Sequence, residues 1–140
     1  MFLELTAADV MSKPAITLDQ RETTAMAWEL LRGRPFGHLV IVNGKSITGI
    51  LDARQLIAAV KAGEASPHLL RPLAGILSKR TLCVTPEANV RTVIEVMIQE
   101  HYDAIPVASP TGRPIGVITA TDILRCLARE MATTTEKMEH

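Results

Sequence analysis

The stretch AIPVASPTGRPIGVITATDILRCL, residues 104–127, decides the fold because the chain carries an earlier copy of it. That copy is HLVIVNGKSITGILDARQLIAAV, residues 38–60, and Gly49 falls on Gly116 with a shift of 67 residues. Each copy runs as a short apolar strand, a glycine-containing turn, a second apolar strand and an amphipathic helix. Because the same unit occurs twice, the repeat determines the architecture more than any single element does.

The two copies also match upstream of these stretches. With the same shift, ITLDQRETTAMAWELL (16–31) lies over CVTPEANVRTVIEVMI (83–98), which adds a strand and a helix to each unit. In the second unit Val90 and Val93 begin a helical apolar face, and Asn89 is the predicted N-cap. The sequence therefore predicts an α/β (α+β) fold of two β-α-β-β-α repeats. Each repeat buries too little apolar surface alone, so we expect the two to pack sheet to sheet.

The repeat divides the chain into four predicted segments. They are a first repeat over 1–62 with its core at about 8–60, a linker over 63–76, a second repeat over 77–132, and a flexible tail over 133–140. Glycines and prolines mark the linker, but Leu73 indicates that part of it packs against the repeats. The tail is polar, and we expect it to fray.

Composition excludes several classes of protein. Fifteen basic and fifteen acidic residues cancel among 140, so no overall field favours nucleic acid or an anionic membrane. No apolar run approaches the roughly 20 residues that cross a bilayer. The N-terminus has no basic region of the kind that begins a secretory signal. Cys83 and Cys126 stand apart without metal-ligand spacing, so we predict a cytoplasmic protein with no metal site.

Three stretches resemble a known family. DVMSKPAIT (9–17), HLVIVNG…ITGIL (38–51) and YDAIPVASPTGRPIGVITATDIL (102–124) are similar to the CBS domain, named for cystathionine beta-synthase and found in tandem pairs. The resemblance covers roughly residues 8–130 in two copies. It implies a pseudo-twofold pair with two clefts between the halves, association into a homodimer, and binding of adenosine-containing ligands that regulate a partner protein. It implies no catalysis by the pair itself.

The polar break in GVITATDIL, residues 116–124, is the strongest site signal. A helix opening at about Thr121 would point backbone amides at a phosphate, and Asp122 can accept both hydroxyls of a ribose. Gly116 lets another group approach the strand closely. The resemblance implies that Asp122 holds ribose, that Thr119 and Thr121 face phosphate, and that Ala120 lies between them. The alternative is that Thr121 or Asp122 simply caps the helix.

The resemblance also implies an adenine slot. Carried over residue by residue, it consists of Ser78, Lys79, Arg80, Ala104, Ile105 and Pro106. Ile105 and Pro106 are expected to sandwich the base, with ordinary core packing as the alternative. Lys79 and Arg80 are candidates for neutralising phosphate, with simple solvation as the alternative.

The first half departs from this pattern. In GILDARQLI (49–57), Asp52 stands where Thr119 is and Gln55 stands where Asp122 is, which disfavours a phosphate and a ribose. Arg54, at the Thr121 position, is expected to pair with Asp52 or to reach a phosphate. We predict a degenerate or differently tuned cleft. Its weak candidate residues are Met11, Ser12, Lys13, His38, Leu39, Asp52 and Arg54.

These observations predict a stand-alone regulatory or sensor module. It binds AMP, ADP, ATP or a related adenosyl compound as a regulatory ligand, needs no cofactor, forms a homodimer and acts on an effector protein. The first alternative is a ligand-free structural or dimerisation module. Another is a module for an uncharged or other adenosyl ligand such as S-adenosylmethionine. An enzyme is disfavoured, because no base, nucleophile and metal set stands together in the sequence.

Overall fold

The computed structural model describes residues 4–34, 37–62, 72–77 and 81–139, so residues 63–71 of the predicted linker lie outside the described residues. The elements are α1 (Ala7–Val10), β1 (Ile16–Asp19), α2 (Thr24–Leu31), β2 (His38–Asn43), β3 (Ser46–Asp52), α3 (Ala53–Ala62), a 3-10 helix (Leu73–Gly75), α4 (Val90–Glu100), β4 (Ala104–Ala108), β5 (Pro114–Thr119) and α5 (Ala120–Glu139). The predicted α+β class and the doubled order of elements are confirmed.

The two sheets differ in their first strand. In the first half β1 pairs parallel with β2, and β2 pairs antiparallel with β3. In the second half β4 and β5 pair, but the predicted first strand reduces to one bridge between Val84 and Val107. Val84 donates its N–H to the Pro106 carbonyl and accepts from Ala108. Continuing this parallel ladder would need N–H groups from Pro86 on one side and Pro106 on the other, and proline has none.

The two internal helices begin at matching caps. The Thr23 hydroxyl accepts a hydrogen bond from the Met26 amide, and the Asn89 side chain accepts one from the Thr92 amide. The caps are 66 residues apart (89 − 23), so this part of the alignment is shifted by one residue from the predicted 67. Asn89 is confirmed as the N-cap of α4.

Replacing Asn89 with alanine should lower the free energy of unfolding by about 1 kcal/mol, because the Thr92 amide loses its acceptor. Asn89→Ser restores a capping oxygen and should cost only a few tenths of that amount. Urea denaturation of the two variants measures the difference. Equal losses for alanine and serine would contradict a capping role.

The halves exchange their leading segments. Ala7 and Val10 of α1 are buried in a core cluster with Val93 and Ile105 of the second half. Conversely, Leu73 is fully buried in the cluster of Leu31, Leu39 and Leu56, as predicted for a linker that packs down. Backbone hydrogen bonds fix both crossings, including the Ala7 amide to the Ala88 carbonyl and the Leu73 amide to the Glu22 carbonyl. The leading helix α1 of the predicted first repeat therefore packs in the core of the second half.

A third cluster joins the two sheets. Val40 of β2, Ala104 of β4 and Val117 of β5 are buried together, with Ile47 and Ile50 packed against them. Strand alternation sends one face of each sheet to its own helices and the other face to the partner sheet. The expected sheet-to-sheet packing of the two halves is confirmed.

The final helix is longer than the sequence indicates. It continues to Glu139, so the predicted tail over 133–140 is helical as far as the described residues extend. Thr133 and Thr134 donate their hydroxyls to the carbonyls of Arg129 and Glu130, which satisfies these polar side chains within the helix. None of the helices within the described ranges combines the length and apolarity needed to cross a membrane.

Candidate functional site

Two open clefts lie between the halves. The first cleft, about 760 Å³, is lined at the β3–α3 junction by Gly49, Ile50, Leu51, Asp52, Arg54, Gln55, Ala58 and Ala59, and by His38, Ile76, Leu77, Thr81, Glu100, His101, Tyr102, Asp103 and Ala104. The second cleft, about 960 Å³, is lined at the β5–α5 junction by Val117, Thr119, Ala120, Thr121, Asp122 and Arg125, and by Ser12, Pro14, Ala15, Ile16, Gly37, His38, Asp52, Ala53, Arg54 and Asp103. Both volumes suit a small organic ligand.

Asp122 is a buried polar residue of the second cleft, with 7% of its surface exposed. Its Oδ2 accepts the Thr119 amide at 2.9 Å, and the Thr119 hydroxyl accepts the Asp122 amide at 3.1 Å. This reciprocal pair is a capping box. The other carboxylate oxygen of Asp122, Oδ1, accepts a hydrogen bond from the Ser12 hydroxyl at 2.8 Å. Capping therefore accounts for two of the three polar side chains at this junction.

The N-terminus of α5 is less open than predicted. The helix begins at Ala120, and the Ala120 amide donates to the Asp103 carbonyl at 3.1 Å. The amides of Thr119 and Asp122 are used in the capping box, so among the amides of residues 119–122 that of Thr121 has no partner in the described contacts. Thr121 is exposed and lines the second cleft. A phosphate there would rely on Thr121 and nearby cations more than on a set of helix amides.

The first cleft has an equivalent but different junction. Asp52 and Gln55 form the same reciprocal box, with both hydrogen bonds at 2.8 Å. Asp52 is 8% exposed, whereas its neighbour Arg54 is exposed. Arg54 pairs with Asp52 as predicted, with Nη2 3.3 Å from Oδ2. The first half thus keeps the cap through Asp52 and Gln55. Arg54 places a cation at the position where the second half has Thr121.

Each leading segment lines the cleft at the junction of the opposite half, whereas the prediction placed it at the junction of its own half. Ser12, predicted as a weak candidate of the first half, lines the second cleft beside Asp122, and Pro14 lines the same cleft. Leu77, next to the predicted Ser78–Arg80 segment, lines the first cleft beside Gly49. The exchange of leading segments is the reason, because each one packs on the opposite half. Ser78, Lys79 and Arg80 themselves lie outside the described residues.

Two of the three described residues of the predicted adenine slot lie away from the clefts. Ile105 is fully buried in the second-half core and Pro106 is buried, and neither lines a cleft. Strand alternation directs Ile105 to the helices and Pro106 toward the partner sheet, so the predicted base sandwich is corrected to core packing. Ala104 lines the first cleft.

The remaining weak candidates divide between core and surface. Met11 packs against Gly116 and the second-half core. Leu39 is buried in the first-half core, and Lys13 is exposed and lines neither cleft. The predicted close approach at Gly116 is made by the chain itself, because Met11 Sδ and the Ser12 carbonyl lie where its side chain would be.

A charged cluster stands where the two clefts meet. His38, Asp52, Arg54 and Asp103 line both clefts. Arg54 Nη2 lies 3.0 Å from Asp103 Oδ2, which links the halves, and His38 Nε2 lies 3.8 Å from Asp52 Oδ2. Sequence reasoning missed Asp103 and Arg125 as cleft residues. Their positions in the sequence were the available signal, since Asp103 lies just before β4 and Arg125 lies one turn into α5.

Burial lowers the pKa of His38 below its ordinary value of 6.5, against the opposing effect of the Asp52, Asp103 and Asp122 carboxylates. The nearby guanidinium of Arg54 also lowers the pKa of His38. The unfolded chain therefore binds a proton at His38 more readily than the folded chain. The stability contributed by neutral His38 is complete above the unfolded pKa, and it falls as pH drops through that value toward the folded one.

Lowering the pH from about 7.5 to about 5 should therefore destabilise the wild-type protein more than His38→Gln, which cannot titrate at this position. Urea denaturation at the two pH values measures both losses. We expect the free energy of unfolding to fall less on acidification in the glutamine variant than in the wild type. An equal or larger loss in that variant would contradict the titration of His38.

The fold and these junctions define a pair of CBS domains. The CBS domain model matches residues 7–62 and 73–129, which is most of the chain, so the protein belongs to the CBS domain family.

Relatives and solved structures agree on the fold. An A-adding tRNA nucleotidyltransferase from Geobacter sulfurreducens is 30% identical over 120 residues, which is 86% of this chain but only 13% of that enzyme. The CBS domain pair of protein MJ0100, in complex with 5′-methylthioadenosine and S-adenosyl-L-methionine, has a TM-score of 0.77 at 21% identity, covering 89% of this chain and 97% of that one. CBSX2 in complex with AMP has a TM-score of 0.74 at 15% identity, covering 91% and 98%.

Proposed function

We propose that the protein is a regulatory module whose second cleft binds an adenosine-containing ligand. The observation that carries this proposal is Asp122, a buried carboxylate at the β5–α5 junction inside a cleft of about 960 Å³. Its oxygens accept from Thr119 and Ser12, and a carboxylate has about four acceptor positions. The remaining positions can take the two hydroxyls of a ribose.

Several neighbouring groups support a phosphate beside that ribose. The hydroxyl-bearing Thr121 is exposed in the second cleft, and the guanidinium groups of Arg54 and Arg125 line it. Charge-assisted hydrogen bonds from arginine suit a phosphate group. Pro14, Ala15 and Ile16 supply an apolar wall for a base. The complexes of MJ0100 and CBSX2 show that this fold accommodates adenosyl compounds in those proteins.

The rest of the proposal concerns the consequences of binding. The ligand contacts segments from both halves, so it would favour one arrangement of the halves that an effector protein reads. No catalytic step is proposed for this chain, and we infer a reducing compartment such as the cytoplasm, where the exposed thiol of Cys83 persists.

We also propose a homodimer. Apolar side chains on the outer helices are exposed, including Trp28 and Leu30 of α2, Ile98 of α4 and Leu124 of α5. Apolar surface of this kind is favourable to bury against a second copy. Sedimentation equilibrium should give twice the 15.2 kDa chain mass. A concentration-independent monomer would contradict the dimer.

A thermal-shift panel with AMP, ADP, ATP and S-adenosylmethionine tests the ligand proposal. A ligand at a hundred times its dissociation constant adds about 2.7 kcal/mol to the folded state. We expect stabilisation by at least one member. No stabilisation by any of them would contradict the proposal. It would favour the second candidate, a ligand-free dimerisation module, which the two self-satisfied capping boxes support.

A further inference from the structure

Arg54 occupies an unusual place in the molecule, because its guanidinium stands at the meeting of the two clefts. It lines both of them, its side chain is 77% exposed, and its Nη2 is shared between Asp52 at 3.3 Å and Asp103 at 3.0 Å. In the second half the same position of the repeat is Thr121, so the cation belongs to one copy only. A guanidinium held by two carboxylates is positioned before any anion arrives.

The charges around Arg54 limit what the clefts can hold. Among the described residues, the carboxylates that line the first cleft belong to Asp52, Asp103 and Glu100, against the single guanidinium of Arg54. In the second cleft Asp52, Asp103 and Asp122 face Arg54 and Arg125. Within the part of the chain that the structure describes, carboxylates therefore outnumber guanidinium groups in both clefts. Among the described residues, a phosphate in the first cleft has Arg54 as its guanidinium partner, and one in the second cleft has Arg54 and Arg125. Phosphates in both clefts would therefore compete for Arg54.

We propose that Arg54 is the phosphate ligand shared by the two clefts, so that one chain holds a single phosphate-bearing ligand at a time. This inference rests on the proposed function. An incoming phosphate replaces Asp103 as the partner of Arg54. Asp103 thus competes with the ligand, and the contact between the halves through Arg54 and Asp103 opens when the ligand binds.

The competition gives two substitutions opposite effects. Arg54→Ala should weaken AMP binding about tenfold or more, since it removes a charge-assisted hydrogen bond. Asp103→Asn should tighten AMP binding by about threefold, because the guanidinium is freed from a competing charge. Adenosine has no phosphate, so its affinity should change less than about twofold in both variants.

Isothermal titration of the full chain with AMP and with adenosine measures these affinities and the stoichiometry. We expect one AMP per chain at the wild-type affinity. Arg91→Ala is the matched control, because it removes an exposed arginine that pairs with Glu95 outside both clefts, and it should leave AMP binding unchanged. Arg54→Lys keeps a charge but loses the planar fork, so its affinity should lie between those of wild type and Arg54→Ala.

Three outcomes would overturn the inference alone. They are two equal AMP sites per chain, AMP binding that Arg54→Ala leaves unchanged, and weaker AMP binding in Asp103→Asn. If the wild-type chain bound neither AMP nor adenosine and no member of the thermal-shift panel stabilised it, the proposed function would be contradicted, and this inference with it. If another panel member stabilised it while AMP did not bind, this inference alone would also be overturned. Thermal melting of each variant shows that it is folded, which we expect because the Arg54 and Asp103 side chains are exposed.

Discussion

Replacing Asp122 with alanine should lower the free energy of unfolding by about 1–3 kcal/mol and weaken AMP binding about tenfold or more. The stability loss arises because the Thr119 amide and the Ser12 hydroxyl lose their acceptor at a buried position. The loss of binding arises because the ribose hydroxyls lose theirs. Urea denaturation measures the first effect, and isothermal titration with AMP measures the second.

A matched control separates capping from binding. Gln55 holds the same place in the first capping box, where its side chain accepts the Asp52 amide at 2.8 Å. Gln55→Ala should therefore cost about 1 kcal/mol of stability, while AMP affinity in the second cleft stays the same. If Asp122→Ala destabilised the fold but left AMP binding unchanged, Asp122 would be a cap and no more.

Replacing Gly116 with alanine should destabilise the protein by about 2 kcal/mol, because an added Cβ meets atoms that cannot easily move. It would lie 2.6 Å from Met11 Sδ and 2.9 Å from the Ser12 carbonyl oxygen. Ser12 is fixed to Val117 by two backbone hydrogen bonds of 2.9 and 3.0 Å. Moving this segment would also move the Ser12 hydroxyl away from Asp122, so we expect weaker AMP binding as well.

Gly49 is the matched control for Gly116. An added Cβ there meets Leu77 Cδ2 at 2.8 Å, which is the end of a flexible side chain and not backbone. Gly49→Ala should cost about 1 kcal/mol or less, since Leu77 can change rotamer. Thermal and urea denaturation compare the two glycines. Equal costs would contradict the view that the Ser12 backbone holds the second junction in place.

The sequence predicts the fold well where local patterns decide it. The duplicated strands of residues 38–60 and 104–127 carry their apolar alternation and turn residues openly. The cap at Asn89 follows from its position before a helical apolar face. The capping boxes were also readable, because Thr119 and Asp122, like Asp52 and Gln55, stand three residues apart at a helix start.

The sequence does not predict which segment packs against which half. Comparing repeats aligns equivalent residues, but it gives no information on whether a leading segment folds back on its own copy or crosses to the other. Ser12 and Asp122 lie 110 residues apart in the chain, and their hydrogen bond follows from that crossing. The joint position of Arg54 and Asp103 depends on the same packing, which only the three-dimensional structure provides.

The most direct test of the account is a backbone amide NMR titration of the isotope-labelled protein with AMP. We predict saturable shifts of the amides of Ala120, Thr121 and Asp122, which line the second cleft, and their loss in Asp122→Ala. Saturable shifts confined to other parts of the chain, or the same shifts in Asp122→Ala, would contradict an adenosyl site at this junction.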